Sequence, residues 1–137
     1  MTRGKGRVLV LVLAGWLVAA WAAPAAAAGV ERVRSASTAD STRVVIDLSS
    51  SVDFTYATLR PDSKGRWPFR VYVDLKGVSN GNAIDTSRVT ADARVSRIRA
   101  AQFSNDTARV VIDLKMPVKV TVGSLRSAAG SPARVYI

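Results

Sequence analysis

The chain has 137 residues, 48% of them apolar, and 20 Lys and Arg against 10 Asp and Glu, a net charge of +10. Histidine and cysteine are absent and Glu31 is the sole glutamate, which excludes His-based acid/base chemistry, a Ser-His-Asp triad, a Cys nucleophile, disulfide staples and any His or Cys zinc site. No catalytic residue, metal ligand or cofactor is therefore assigned, and the basic balance directs attention to anionic partners.

The first predicted element is an export signal over residues 1–28. Met1 to Arg7 is short and basic, Val8 to Ala23 is uncharged and apolar, and Pro24 precedes the alanines Ala25 to Ala28. Basic, apolar and small residues in that order make a secretory signal peptide, with cleavage expected after Ala28. An uncleaved anchor is the alternative, since roughly 20 apolar residues span a bilayer. Removal of Arg3, Lys5 and Arg7 with the leader leaves 109 residues with 17 Lys and Arg against 10 acids, enough for one small domain. Export makes nucleic acid the poorest anionic partner and limits membrane contact to the leader. An acidic cell-wall polymer or lipid headgroups remain, beside the plainer reading of a solvated Arg-rich surface.

From residue 30 onward the sequence repeats itself. Arg43 to Leu48 reads RVVIDL, as does Arg109 to Leu114. Val33-Arg34 corresponds to Ile98-Arg99, and Val52, Thr55 and Leu59 correspond to Val118, Thr121 and Leu125. Pro68 to Val73 corresponds to Pro132 to Ile137 at an offset of 64, against 66 through the middle. Four blocks in one order indicate a tandem duplication, with units at about 30–75 and 95–137. Within each unit the apolar residues alternate with period two: Val44, Ile46 and Leu48, then Val52, Phe54 and Tyr56, then Val71, Val73 and Leu75. The second unit repeats this at Val110, Ile112 and Leu114 and at Val118, Val120 and Val122. That is the pattern of half-buried strands. The prediction is an all-β fold: two roughly four-strand units whose two sheets stack as a sandwich, each copy hiding its apolar face against the other. A linker, Lys76 to Asp92, joins them and is expected to hold one short strand around Ala83 to Asp85.

The faces turned away from the core carry Arg and Asp. Arg43 and Asp47 share one side of a strand, as do Arg70 and Asp74 with Tyr72 between them, and Arg109 and Asp113 repeat the first pair. Antiparallel pairing with Val45 opposite Tyr72 would set Arg43 against Asp74 and Asp47 against Arg70, a cross-strand charge ladder. Alternatively the arginines Arg43, Arg70 and Arg109 hold carboxylates of a ligand, since a guanidinium binds them bidentately. Trp67, in a polar basic loop, either stacks on sugar rings or folds down to cap the open end of the sandwich. Arg94, Arg97 and Arg99 form a basic cluster whose alternation with Val95 and Ile98 is imperfect, consistent with a charge-protected edge strand.

The series V-x-x-V-R, RVVIDL, an apolar strand ending in Leu, and RVYVDL, repeated after a signal peptide, resembles the AMIN domain over roughly Val30 to Ile137. The resemblance implies a two-sheet β-sandwich of related halves with the repeated motif on its outer faces. It further implies a targeting module that binds peptidoglycan. Such modules sit at the N-terminus of periplasmic N-acetylmuramoyl-L-alanine amidases, notably at the division septum, and in secretins of type IV pilus systems, so other cell-division or envelope proteins are possible partners. The matching positions are Arg43, Asp47, Arg109, Asp113, Arg70 and Tyr72. The zinc amidase domain and the secretin barrel are both missing. The second unit stops at Ile137, the equivalent of Val73, so the chain is expected to be an N-terminal fragment of a longer protein.

Overall fold

A computed structural model describes residues 27–126 and 133–137, so the expected signal peptide lies outside the described residues. Eight strands follow in chain order among them: β1 (Val30–Ser37), β2 (Thr42–Leu48), β3 (Phe54–Leu59), β4 (Phe69–Lys76), β5 (Val95–Ser104), β6 (Thr107–Leu114), β7 (Gly123–Leu125) and β8 (Ala133–Tyr136). They form two antiparallel four-stranded sheets, ordered β1-β2-β8-β7 and β3-β4-β6-β5. No described helix is long and apolar enough to cross a membrane.

The period-two residues of β2, β4 and β6 face inward as expected. In the run Val52, Phe54 and Tyr56 only the first two pack against the core, and Tyr56, on the outermost strand β3, is exposed. Val33, Val44, Ile46 and Val135 of the first sheet meet Val71, Val73, Val110 and Ile112 of the second in one buried cluster. Each such side chain removed from water contributes about 1.5–3 kcal/mol. Where the sequence reading fails is in assigning one sheet to each copy. The first sheet takes β1 and β2 from the first copy and β7 and β8 from the second. The second sheet takes β3 and β4 from the first copy and β5 and β6 from the second. The central ladders, β2 with β8 and β4 with β6, are both between copies. Each RVVIDL strand needs a neighbour on both sides to satisfy its backbone, and the last strand of the other copy supplies it.

Strand β1 carries a bulge between Val30 and Arg32, and β5 carries the same bulge between Val95 and Arg97. The extra residue, Glu31 or Ser96, is absorbed there, so Val30 and Val33, though three apart, both face the core, while Arg32 and Arg34 both face out. That accounts for the imperfect alternation at Val95, Arg97, Ile98 and Arg99.

The linker forms a strap with a 3-10 turn at Gly81–Ala83, in place of the short strand expected at Ala83 to Asp85. It pairs with the outer edge of β1 and grips one end of β5 at Gln102. Val33 N–H donates to Asp85 O at 2.9 Å, and Gly81 N–H donates to the Gln102 side chain at 2.7 Å. The paired edge of β1 is closed to further strand addition. Asp92 anchors the strap's end. Burial pushes its carboxyl up, but hydrogen bonds from Ser37, Thr42 and the N–H groups of Val95 and Arg94 outweigh this and hold it well below the usual carboxylate range. The expected strand through Val118, Val120 and Val122 does not form: these residues pack against the core in irregular backbone, and pairing with β8 begins only at β7, over three residues.

Candidate functional site

The outer faces of the two sheets present one constellation twice. On the first sheet Asp47, 5% exposed, is ringed by arginines from two neighbouring strands. Arg34 Nε donates to it at 2.9 Å, with Arg32 Nε at 3.6 Å and Arg134 Nε at 3.4 Å. On the second sheet Asp113, 2% exposed, accepts from Arg97 Nε at 2.9 Å and from Arg99 Nη2 at 3.0 Å, with Arg70 opposite it in register. Burial raises the Asp113 carboxyl, yet the hydrogen bonds and charges of Arg99 and Arg97 prevail and leave it below the usual carboxylate range. Asp113 is therefore anionic near neutral pH, and its two bonded guanidinium groups leave the cluster positively charged.

The bulges give these clusters their shape. By absorbing Glu31 and Ser96 they bring two arginines of one edge strand onto one aspartate of the next, and the Ser96 hydroxyl donates to Asp113 O at 3.1 Å. The buried carboxylate fixes guanidinium groups that are themselves 40–61% exposed, apart from Arg134 at 33%. Such preorganised forks suit a second carboxylate or a phosphate arriving from solvent. Among the described residues no three His, Cys, Asp or Glu converge as a metal site.

The predicted ladder exists with its copies crossed. Arg43 and Asp74 stand in different sheets, so the expected pairs Arg43–Asp74 and Asp47–Arg70 do not form. Asp74 instead takes Arg109 bidentately at 2.7 and 2.8 Å, and Asp47 lies opposite Arg134. The register was right relative to the motif: Tyr72 faces Val111 and Tyr136 faces Val45, where Val45 opposite Tyr72 was expected. Arg43 is exposed and makes no ion pair among the described residues. It borders a hollow of about 460 Å³ with Arg34, Arg134 and Tyr136. Tyr136 lies over Gly123, and a side chain at that position would have to displace the hydroxyl end of the ring.

Trp67 does not cap the sandwich. It is 46% exposed, its N–H donates to Asp62 at 2.9 Å, and the Arg70 guanidinium lies 5.1 Å from its ring centroid. Arg70 turns to Trp67 instead of closing on Asp113, and its buried Nε has no hydrogen-bond partner among the described residues. Arg109 lies between two rings, 4.3 Å from Tyr72 and 3.7 Å from Phe103. Of the predicted residues, Arg70, Tyr72, Asp74, Arg109, Asp113 and Trp67 share the second sheet's outer face, while Arg43 and Asp47 lie on the first. Sequence reasoning missed Arg32, Arg34, Arg134 and Phe103, and it read Arg97 and Arg99 as edge protection alone. The signal for the edge-strand pairs was present in Val30-Glu31-Arg32-Val33-Arg34 against Val95-Ser96-Arg97-Ile98-Arg99.

A family model of the AMIN domain matches residues 61–136, a span that takes in β4 to β8. No curated protein matches the chain.

Proposed function

The chain belongs to the AMIN domain family, and we propose that it is a non-catalytic, exported module that binds peptidoglycan. Its role would be to localise a cell-wall amidase in the periplasm, at the wall or the division septum. The observation that carries this reading is the pair of outer-face clusters, each a buried aspartate holding exposed arginines in place. Stem peptides of peptidoglycan carry carboxylates, and a rigid, net-positive guanidinium fork is suited to them. The absence of His and Cys from the whole sequence leaves the hydrolytic step to another domain or chain.

The test is co-sedimentation of residues 27–137, which carry the whole of the described core, with insoluble peptidoglycan sacculi. Binding is expected at low salt and should weaken as ionic strength rises. Arg43→Ala with Arg97→Ala removes one exposed cation from each face and should weaken binding by at least about tenfold, since one charged hydrogen bond contributes about 1.5–3 kcal/mol. A folded domain that stays in the supernatant at low salt would refute the proposal.

A further inference from the structure

The two outer faces share a frame but differ in what the duplication has placed on it. Phe103 is the extra residue of a second bulge in β5, between Gln102 and Ser104, which β1 lacks, and Trp67 corresponds to Ser131 at the offset of 64. Both differences put an aromatic ring on the second sheet's side, where Phe103 is 59% exposed and Trp67 is 46% exposed. Each ring is backed by a guanidinium, Trp67 by Arg70 and Phe103 by Arg109. A cation stacked on one face of an aromatic holds the ring in place and leaves the other face to solvent. The two rings mark opposite ends of a strip along β4, near Arg70 and Asp74, roughly 13 Å apart at ~3.3 Å per residue. Tyr72 and Val111 lie between them, flanked by Asp74–Arg109 at one end and by Asp113 with Arg97 and Arg99 at the other.

Rings standing singly, each beside a charged hydrogen-bonding pair, do not make the contiguous apolar centre of a protein interface. They match a ligand that alternates apolar C–H faces with hydroxyl-bearing edges. We infer that the outer face of the second sheet reads the sugar backbone itself, with Trp67 and Phe103 stacking on rings of a glycan strand laid along β4 and β6. On this division of labour the Asp–Arg pairs between them bond its hydroxyl groups. The first sheet's face, which lacks both rings, takes only the anionic groups.

This inference rests on the peptidoglycan reading, and its test separates the two. Trp67 is the sole tryptophan after Trp21, so in residues 27–137 the tryptophan fluorescence, excited selectively over tyrosine, reports this site alone. Glycan strands stripped of their stem peptides should shift or quench Trp67 emission saturably. Phe103→Ser should weaken that response several-fold, and Trp67→Ser with Phe103→Ser should weaken co-sedimentation with intact sacculi roughly tenfold. Both rings are exposed, so the thermal midpoints should stay near that of the parent. If intact sacculi bind while stripped strands leave Trp67 emission unchanged, the glycan-reading face is wrong and peptidoglycan binding stands. The glycan-reading face is equally overturned if calorimetry finds the double serine variant binding stripped strands as tightly as the parent. If neither material binds, both readings fall.

Discussion

Asp113 is a nearly inaccessible carboxylate whose partners are mostly in water, and that asymmetry sets what its loss costs. Removing one member of a fully buried ion pair costs about 3–5 kcal/mol because the other charge is stranded. Here Arg97 and Arg99 are 61% and 40% exposed, so they relax into solvent and the cost falls. Asp113→Asn is expected to destabilise the domain by about 1–3 kcal/mol, measured by urea unfolding. The pH dependence has a definite sign. The folded carboxyl lies below its unfolded value of about 3.9, so its contribution is complete above about pH 4. It is lost as pH falls through the depressed folded value. Thermal midpoints recorded from pH 7 down to pH 2 should drop steeply below pH 4 for the parent and less steeply for Asp113→Asn. Equal slopes would mean that the cluster does not discriminate between charge states. Asp92, held low by four hydrogen bonds at the end of the strap, adds to the same acid limb and keeps the variant's profile from becoming flat.

At the scale of elements, the strap between the copies supports the first sheet's cluster directly, pairing with β1 at Val33 and Ser35 beside Arg32 and Arg34. It grips β5 at that strand's far end, at Gln102. Gly81 is where it sits closest. A Cβ there would lie 2.6 Å from Gln102 N and 2.7 Å from Ala101 C and O, all backbone atoms that cannot swing aside. Gly81→Ala is therefore expected to cost about 1–3 kcal/mol in denaturant unfolding, as overpacked sites do, with amide exchange quickened along β5. Unchanged stability would show that the turn lifts off freely. The sequence carried the strands themselves because a period of two is local information, visible in Val44, Ile46 and Leu48. Even the relative register of RVVIDL against RVYVDL could be read from matching charges. The copy to which the partner strand belongs could not, since β2 meets either β4 or β8 with the same motif and only the tertiary arrangement distinguishes them. The bulge was hidden for a related reason: Val30 and Val33 look like broken alternation until a fold absorbs Glu31. Trp67 was ambiguous because a loop ring is placed by its neighbours, here Arg70 and Asp62, and not by its own periodicity.

For the whole molecule, interleaving means that duplication has not produced two independent modules. Asp47 of the first copy meets Arg134 of the second, and Asp113 of the second lies opposite Arg70 of the first. Each candidate binding face is thus completed by both copies, and neither copy holds a whole one. The same holds for stability. Residues 27–92 alone would keep the β1–β2 and β3–β4 hairpins but lose both central ladders, exposing the inner edges of β2 and β4 and most of the cover over Ile46 and Val73. Two facing hairpins with open edges fall short of the three or more strands per sheet that independent stability requires. Residues 27–92 and 93–137, produced separately, are each expected to show disordered far-UV circular dichroism and collapsed amide dispersion. Mixed in equal amounts they should recover sheet structure, since the missing partners are then present at a cost in association entropy alone. A half that unfolds cooperatively by itself, near the midpoint of the intact domain, would show that the inter-copy ladders are dispensable. In that case the binding faces would have to be sought within single copies.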